Sequence, residues 1–577
     1  MKTIILQCRI RVPVIASLLA TLSVFAACAG DGETDAAADE DVFTEDGEPP
    51  LSGPDGKADG FGEDVPAYGA LSGDADFTGD LQVMFAPSEP VVTLELKWID
   101  WVRDARKADP NDYVEGENPY TIDYAVYTLR NQQIVDHLAD AEDDGVDVQI
   151  LIESDQLGKD RAYNTIDEFM AFRGHEVVLS HKDLTDESRE TADLIGIKHS
   201  GLMHTKIRIF STPDDRVVLS GSFNAGSYAP FNDENIHLIR SPYLAERYAA
   251  LFEALRYGGR APNAWDDDEP VNLLFSRPSS GLRPGTRIFN WLEEEQELIL
   301  LMVYSLRNIT AVDHGERTLV DILADKVAAG VPVYAITDKK QSDQYSNDIE
   351  DLLRGVGVPT YEALNESQVF CAMHHKVAVL GRTRMRVISG SANWTKGGLG
   401  ARNAISRNQE TALFIDSSRL DDNLTGRRYL AEWLAVLERY APQNAERGDP
   451  GPDYATIRDR LLDLSDWPDQ PVRFTVLAAH TEDPAEQIRV LGDHALLGDW
   501  GATDAGHRLE AGMIDQTSWA SPEPLDLPLG LDFEWKFGAY LPSTEALRWE
   551  QGGNRPGRAA AAYFRPEQVL ELQGYWR

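Results

Sequence analysis

Two short stretches decide how this chain folds, Met203-His-Thr-Lys206 and His374-His-Lys376. In each, a histidine stands two residues before a lysine and an apolar run follows, which predicts a β-strand. Residues two apart on a strand point to the same face, so each histidine is expected to project beside its lysine. The sequence therefore predicts two matching His/Lys pairs on equivalent strands.

The segments around the two pairs repeat one another. Tyr127-Thr-Leu-Arg-Asn131 is matched by Tyr304-Ser-Leu-Arg-Asn308, and Gly145–Glu153 is matched by Gly330–Asp338. In each copy, strand-like apolar runs alternate with helical patterns, which is typical of an α/β sheet covered by helices. We therefore predict a duplicated α/β unit whose two mixed-sheet halves pack about a pseudo-two-fold axis.

Each His/Lys pair is followed by the same polar residues, a Gly-Ser-x-Asn motif and then a glutamate. The candidate catalytic residues are His204, Lys206, Asn224, His374, Lys376 and Asn393, and the supporting residues are Ser222, Glu234, Ser391 and Glu410. His375 is expected to point to the opposite face from His374 and to serve in packing.

These residue types suit cleavage of a phosphodiester without a metal or any other cofactor. One histidine can attack phosphorus while the other protonates the leaving oxygen. Lysines, together with Ser and Asn donors, would stabilise charge on the phosphoryl oxygens. A glutamate would accept a proton from the far nitrogen of each imidazole and fix its tautomer. Because displacement at phosphorus runs in line, the two half-sites are expected to face each other.

An H-x-K motif followed by G-S-x-N, present twice, resembles the phospholipase D superfamily over about residues 80–440. The second copy, with Gly390-Ser-Ala-Asn-Trp-Thr395, is similar to the bacterial nuclease and mitochondrial cardiolipin-hydrolase branch. The resemblance implies that His204 forms a phosphohistidine intermediate and that His374 is the acid. The family motif also has an aspartate five residues after the lysine, and these positions here hold Ser211 and Gly381.

The N-terminal residues predict export. Basic residues and a short apolar run end in Ala26-Ala-Cys28, which is typical of a signal peptide over residues 1–28. The small residues before the cysteine also resemble a bacterial lipobox. This implies lipidation of Cys28, a membrane anchor, and a place at the outer membrane or cell surface; without lipidation the protein would be extracellular. Residues 29–66, rich in Asp, Glu, Gly and Ala, are predicted to be a disordered acidic linker.

Composition limits the partners of the protein. The chain has 96 acidic and 54 basic residues and a formal net charge of -42, which disfavours broad electrostatic binding to nucleic acid. We expect a monomer. The predicted domains are residues 67–265 for the first half, 266–445 for the second half, 446–468 for a linker and 469–577 for a C-terminal all-β domain.

The C-terminal part changes to short strands separated by turns, which is typical of an immunoglobulin-like β-sandwich. Leu497-Gly-Asp-Trp500 and Trp549-Glu-Gln-Gly-Gly-Asn-Arg555 resemble a family 20 starch-binding domain. The resemblance implies binding of a starch-like α-glucan, with Trp500 and Trp549 as stacking platforms and with Lys536, Glu550 and Asn554 bonded to hydroxyls. Trp535 either fills the sandwich core or faces a ligand.

Three functions remain open at this point. The first is a secreted phosphodiesterase that acts on phospholipid headgroups and is targeted by its glucan-binding module. The second is a nuclease on the same scaffold. The third is a glucan-binding lipoprotein whose catalytic half is degenerate. The spacing of His, Cys and Asp residues predicts no metal site, and the acceptor of the phosphoryl group, water or an alcohol, is left open.

Overall fold

A computed structural model describes most of the chain from residue 70 onward. The described residues are 70–71, 79–89, 91–113, 117–157, 176–178, 185, 192–198, 200–226, 229–343, 348–364, 372–402, 404, 407–447, 454–462, 469–479, 481–501, 506–511, 518–528, 531–559 and 569–576. The predicted signal peptide with Cys28 and the predicted acidic linker lie outside the described residues.

The first half is built around a mixed sheet covered by helices. Its part of the chain contains strands β1 (Ala70–Leu71), β2 (Leu81–Ala86), β3 (Thr121–Val126), β4 (Asp147–Glu153), β5 (Val177–Val178), β6 (Leu194–Ile197), β7 (Lys206–Ser211), β8 (Arg216–Gly221) and β9 (Glu234–Ile239), and helices α1 (Val91–Ala108), α2 (Gln132–Asp143) and α3 (Pro242–Arg256). The sheet order is β2-β9-β8-β7-β3-β4-β6-β5. The central strands β7 and β8 are buried along almost their whole length because both faces of the sheet are covered.

The second half repeats this arrangement. It contains strands β10 (Val271–Phe275), β11 (Ile299–Val303), β12 (Val333–Asp338), β13 (Thr360–Ala363), β14 (Lys376–Leu380), β15 (Arg386–Gly390) and β16 (Thr411–Asp416), and helices α4 (Pro284–Glu294), α5 (Leu319–Ala328), α6 (Lys339–Ser342), α7 (Ile349–Gly355), α8 (Ser417–Leu420), α9 (Leu424–Arg447) and α10 (Tyr454–Leu462). The order β10-β16-β15-β14-β11-β12-β13 matches the first sheet strand for strand up to β6. The predicted duplication of a mixed-sheet α/β unit is confirmed.

The two halves share one apolar core. It contains buried residues from the inner faces of both sheets together with residues of α3 and α9. Helix α9 also makes polar contacts with both halves. Trp433 Nε1 donates to Leu301 O at 2.9 Å in the second half, and Arg428 Nη2 donates to Glu89 Oε2 at 2.9 Å in the first half. The long helix α9 therefore holds the two sheets in a fixed relation.

Two segments make contacts across the predicted domain boundaries. The short strand β1 pairs with Leu570–Glu571 in the C-terminal domain, although residues 67–265 were assigned to the first half. Helix α10, placed by the sequence in a linker over 446–468, buries Ile457 and Leu461 in the core shared by the halves. An amphipathic helix that finds an apolar surface docks on it, and composition alone does not show that surface. Among the described helices, none is long and apolar enough to cross a membrane.

The C-terminal domain is all-β, as predicted. Its strands are β17 (Gln470–Leu477), β18 (Gln487–Gly492), β19 (His507–Arg508), β20 (Glu510–Ala511), β21 (Trp519–Ala520), β22 (Leu525–Leu527), β23 (Asp532–Leu541), β24 (Ala546–Trp549), β25 (Arg555–Arg558) and β26 (Leu570–Tyr575). They form two sheets, one around β17 and one around β18 and β23. Apolar side chains from both sheets form a separate core, which gives a β-sandwich.

Candidate active site

The candidate catalytic residues lie at one edge of each sheet. In the second half, β11 and β15 end at this edge, and β14 and β16 begin there. His374 directly precedes β14, which begins with Lys376, and the first half places His204 and Lys206 in the same way before and on β7. All four side chains are buried. The predicted same-face arrangement is present, since Lys206 Nζ lies 3.0 Å from His204 Nε2.

The glutamates are exchanged between the halves. His204 Nδ1 lies 2.8 Å from Glu410 Oε1, and His374 Nδ1 lies 2.7 Å from Glu234 Oε1. The sequence grouped each glutamate with the histidine of its own half. The structure corrects this grouping, because each histidine contacts the glutamate that follows the other Gly-Ser-x-Asn motif. Two half-sites thereby become one site.

The main chain enforces this exchange. His204 N donates to Gln409 O at 2.9 Å, and His374 N donates to Asp233 O at 3.0 Å. Each histidine is thus bonded to the residue directly before the glutamate of the other half. Asn408 and Asn232 repeat the pattern: their Oδ1 atoms accept from Leu202 N at 3.1 Å and from Ala372 N at 2.8 Å.

The two motif serines support the glutamates. Ser222 Oγ donates to Glu234 Oε2 at 2.6 Å, and Ser391 Oγ donates to Glu410 Oε2 at 2.7 Å. Because each hydroxyl proton is used in this way, the expectation that the serines donate to phosphoryl oxygens is wrong. The supporting role assigned to them fits their position.

The motif asparagines lie beside the serines and are buried. Asn393 Oδ1 makes no hydrogen bond within the described part of the chain. Arg130 N and Asn131 N donate to Ala225 O, the residue after Asn224, at 2.8 and 2.9 Å. The main chain of the repeated Tyr-x-Leu-Arg-Asn segment therefore fixes the loop that carries the asparagine.

Sequence reasoning missed the site role of two tyrosines. The ring of Tyr127 lies 5.0 Å from that of His204, and the ring of Tyr304 lies 4.6 Å from that of His374. Lys376 Nζ also lies 4.8 Å from the centre of the Tyr304 ring, within cation–π range. Their signal was the repeated Tyr-x-Leu-Arg-Asn segment, which was used only to detect the duplication.

The ends of β4 and β12 supply two further carboxyl groups that the sequence did not assign. Met203 N donates to Glu153 Oε2 at 2.7 Å, which fixes the residue before His204. Asp338 occupies the equivalent position in the second half and accepts from the Met373 main chain. Burial raises the pKa of Asp338 to about 7. These groups hold the chain in front of each histidine.

The electrostatics of the site favour a neutral His374 before substrate binds. Burial, reinforced by the positive charges of Lys376 and Lys206 and by the neighbouring His204, holds the pKa of His374 well below its ordinary value. Residues of both halves act on this one imidazole. A bound anion between the lysines would offset these charges and raise the pKa of His374.

His375 points away from the catalytic pair, as predicted, but it does more than fill space. Its Nε2 lies 3.2 Å from Glu432 Oε1 on α9, and its Nδ1 lies 3.3 Å from Asn235 Oδ1. Burial lowers the pKa of His375 to about 3 and raises the pKa of Glu432 well above its ordinary value. The contact is therefore a hydrogen bond between neutral groups that ties α9 to the site.

The positions of the absent motif aspartates lie at the far ends of β7 and β14. Ser211 is five residues beyond Lys206, which is about 17 Å along an extended strand. Ser211 Oγ accepts from Arg216 Nε at 3.2 Å. Gly381 occupies a turn with φ of 79°, and a Cβ there would lie 2.3 Å from Arg384 O. Neither position contacts the His/Lys pairs.

Restoring the aspartates should therefore separate stability from turnover. Ser211→Asp is expected to change kcat for a nitrophenyl phosphodiester by less than about twofold, because the substitution lies far from the lysine. Gly381→Asp is expected to lower the free energy of unfolding by about 1–3 kcal/mol, because of the left-handed backbone and the clash. Steady-state kinetics and thermal unfolding measure the two effects. A tenfold rise in kcat for Ser211→Asp would contradict this account.

Three carboxylates outside the site come together, although spacing predicted no metal ligands. The carboxylates of Asp343, Glu350 and Glu362 lie within 4.8 Å of one another. Lys339 and Arg354 each contact Glu362 at 3.2 Å. The two basic side chains balance part of the negative charge of the cluster.

The C-terminal domain brings two predicted platforms together. The rings of Trp500 and Trp549 lie 6.0 Å apart at 61°, and Trp549 is 37% exposed. Lys536 Nζ donates to Gly552 O at 2.6 Å, and Asn554 Nδ2 donates to Glu534 Oε2 at 2.7 Å, both on the adjoining surface. The two rings and these polar groups form one exposed patch.

Two residues of the C-terminal domain face inward. Trp535 is 3% exposed and belongs to the sandwich core, which settles the alternative left open by the sequence. Glu550 was expected to bond to hydroxyls, but its carboxylate is buried and accepts from Phe537 N at 2.9 Å and from Arg555 Nη2 at 2.8 Å. We correct its assignment to support of the sheet: successive residues point to opposite faces, so Glu550 faces inward directly after the exposed Trp549.

Comparison with known families gives two matches. Residues 117–256 and 291–427 match the family model of a cardiolipin synthase, phospholipase D-like domain. Residues 469–562 match the model of a starch binding domain. The search of curated proteins gave no match.

Several solved structures are similar. They include polyphosphate kinase from Porphyromonas gingivalis (15% identity, TM-score 0.39, 62% of this chain and 50% of that chain). The phospholipase D family member Nuc from Salmonella typhimurium is 19% identical, with a TM-score of 0.22 over 29% of this chain and 93% of that chain. Phosphatidylserine synthase from Haemophilus influenzae is 12% identical, with a TM-score of 0.39 over 63% of this chain and 85% of that chain.

The present chain thus spans half the length of the polyphosphate kinase that it matches. Each family model covers a part of the fold described above, one match in each α/β half and one in the β-sandwich. The chain belongs to the phospholipase D superfamily and carries a starch-binding domain at its C-terminal end.

Proposed function

We propose that the protein is an exported phosphodiesterase that cleaves phospholipid headgroups through a phosphohistidine intermediate and needs no metal. The observation that carries the proposal is the exchanged pair of His–Glu contacts, which places two oriented imidazoles and two lysines in one buried site. A single half-site would offer one imidazole only. In-line displacement needs two groups on opposite sides of phosphorus.

The first step forms a bond between His204 Nε2 and phosphorus and breaks the bond from phosphorus to the leaving oxygen. Glu410 holds Nδ1 of this histidine, so the attacking nitrogen is Nε2. His374 Nε2 gives its proton to the leaving oxygen. Lys206 and Lys376 neutralise the charge on the phosphoryl oxygens as it develops.

The second step reverses these roles. The now neutral His374 takes a proton from water, the water oxygen bonds to phosphorus, and the bond to His204 breaks. An alcohol in place of water would give transfer. His374 must be protonated for the first step, and the bound phosphodiester anion supplies the negative charge that raises its pKa. Glu234, 2.7 Å from Nδ1, favours the same protonated form.

The N-terminal segment and the C-terminal domain support the proposed location of the protein. The signal-peptide pattern before Cys28 supports export and a lipid anchor at the outer membrane or cell surface. The starch-binding domain supports attachment to an α-glucan. A monomer satisfies the site, since both halves come from one chain.

The test compares wild type with His204→Asn on phosphatidylcholine, phosphatidylglycerol and plasmid DNA. Release of a lipid headgroup by wild type, lost in the variant, is the expected result. Nicked plasmid without lipid turnover would instead make the protein a nuclease. No turnover of any substrate, with retention on amylose intact, would leave a glucan-binding protein without phosphodiesterase activity.

The glucan site gives a separate prediction. Trp549→Ala should weaken retention on amylose by at least about tenfold with little change in stability, because this ring is exposed and its loss removes a stacking surface. Trp535→Ala should instead lower the free energy of unfolding by about 3–5 kcal/mol, because it opens a cavity in the core. Affinity electrophoresis in amylose and thermal unfolding measure the two. Unchanged retention of Trp549→Ala would remove the site from this face.

A further inference from the structure

Four arginines gather at the edge of the second sheet where the candidate active site lies. They are Arg260, Arg277, Arg283 and Arg407. The loop after β10 carries two of them, since Arg277 follows that strand closely and Arg283 directly precedes α4. This loop leaves β10 at the edge where β16 begins. Arg407 lies three residues before Glu410, the carboxylate that contacts His204.

Hydrogen bonds bring these segments together. Ser276 Oγ donates to Asn408 O at 2.6 Å. Arg277, which follows Ser276, and Arg407, which precedes Asn408, are therefore carried by neighbouring segments. Arg283 Nη1 donates to Gly400 O at 3.3 Å, in the turn after the second Gly-Ser-x-Asn motif. Ser279 N donates to Ala261 O at 3.0 Å, which brings the Arg260 segment to the same loop.

The positive charges of this arginine cluster are not matched by acids. Within the described part of the chain, none of the four arginines forms an ion pair with a carboxylate, although the chain has 96 acidic residues. Asp313 is the carboxylate that acts on Arg283, and it is exposed and accepts from Thr286 Oγ1 at 3.3 Å. Arg277 Nη1 and Arg407 Nε are buried and make no hydrogen bond to a described residue.

The arginines that these hydrogen bonds bring together also repel one another. Burial, together with the like charges of Arg260 and Arg407, lowers the pKa of both Arg277 and Arg283. Buried guanidinium N–H groups that have no acceptor among the described residues, such as those at Arg277 Nη1 and Arg407 Nε, destabilise a fold, since each loses hydration without gaining a hydrogen bond. Such a cluster is stabilised when an anion binds.

The cluster lies on one side of the site only. The equivalent loop of the first half, after β2, carries Glu89, which accepts from Phe85 N at 2.8 Å and from Arg428 at 2.9 Å. The two sides of the pocket therefore differ in charge although the His/Lys pairs repeat. A substrate with a second anionic group would bind in one orientation.

We propose that the arginine cluster binds a second phosphate of the substrate, beside the phosphodiester at the two His/Lys pairs. This inference rests on the proposed function and narrows it to phospholipids whose headgroup carries an additional phosphate. The fork of a guanidinium group matches phosphate oxygens in geometry and charge. The net charge of -42 disfavours binding of a long polyanion and favours a compact headgroup that carries one phosphate besides the diester.

A binding experiment tests the cluster without turnover. Tripolyphosphate is titrated calorimetrically into full-length His204→Asn, with and without Arg277→Gln and Arg407→Gln. Loss of charge-assisted bonds should weaken binding by about tenfold or more. Arg384→Gln, an exposed arginine paired with Asp416 outside the cluster, is the matched control and should change binding by less than about twofold. Equal affinity with and without the two cluster substitutions would overturn the proposal.

Turnover supplies the second measurement. Wild type should show at least about tenfold higher kcat/KM for phosphatidylinositol 4-phosphate than for phosphatidylinositol in mixed vesicles, and Arg277→Gln with Arg407→Gln should abolish this preference. The double variant with Arg277→Lys and Arg407→Lys keeps the positive charges and should retain part of the preference for phosphatidylinositol 4-phosphate. Equal turnover of both lipids by wild type would overturn the lipid assignment. A higher kcat/KM for a thymidine oligonucleotide than for either lipid would overturn it as well. If no diester is cleaved but the tripolyphosphate result holds, the proposed function falls and the anion site stands.

Discussion

Replacing His204 by Asn is expected to lower kcat for phosphodiester cleavage by at least about a thousandfold, because covalent catalysis loses its nucleophile. The fold should survive, since Asn keeps a polar atom near Glu410 Oε1, which lies 2.8 Å from His204 Nδ1. Steady-state kinetics with a lipid and with a nitrophenyl diester, together with thermal unfolding, measure both effects. His137→Asn, on the partly exposed surface of α2, is the matched control.

The leaving group distinguishes the two histidines. A nitrophenolate leaves without a proton, so His374→Asn should retain much more activity on the nitrophenyl diester than on lipid. His204→Asn should be inactive on both, because attack on phosphorus is lost whatever the leaving group. If the nitrophenyl diester rescues His204→Asn and not His374→Asn, the roles of the two histidines are reversed.

Glu410→Gln is expected to lower kcat by up to about 10⁴-fold, the loss seen when the carboxylate that orients a catalytic histidine is replaced by an amide. The amide keeps the size of the side chain and an oxygen for the Ser391 hydroxyl, whose Oγ lies 2.7 Å from Oε2. It offers the imidazolium no negative charge. The nitrophenyl diester should not rescue this variant, because Glu410 acts on the attacking histidine.

A double-mutant cycle tests the exchange between the halves. Glu410→Gln added to His204→Asn should cost less than about threefold more, since both act on one group. Glu234→Gln is the matched control, in the equivalent place but 2.7 Å from His374 Nδ1. It should be rescued in part by the nitrophenyl diester. Strong coupling of Glu234 with His204, and weak coupling of Glu410, would mean that each half keeps its own glutamate.

The repeated motifs were sufficient to predict the duplication and the identity of the site residues. The spacing of His374 and Lys376 fixes their common face on any strand, because side chains alternate with a period of two. The helix-strand order of each half follows from apolar periodicity. The family matches over both halves and the C-terminal domain confirm the predicted fold, and the roles of the site residues stay predictions.

The rest depended on contacts between distant parts of the chain. No local pattern shows that Glu410 lies beside His204, because their separation in sequence is closed by the packing of two sheets. The serines were assigned to the substrate because a hydroxyl is a general donor, whereas in the structure the neighbouring buried carboxylate accepts the hydrogen bond. The arginine cluster was missed because its members come from three separate segments.

Because the glutamates are exchanged, catalytic activity depends on the correct packing of the two halves against each other. A displacement between the sheets of about the length of one hydrogen bond would release both imidazoles at once, each from its acceptor. A substitution that moves the glutamate of one half therefore changes the orientation and protonation of the histidine in the other half. Because each histidine depends on the glutamate of the other half, the two halves are expected to evolve as one catalytic unit.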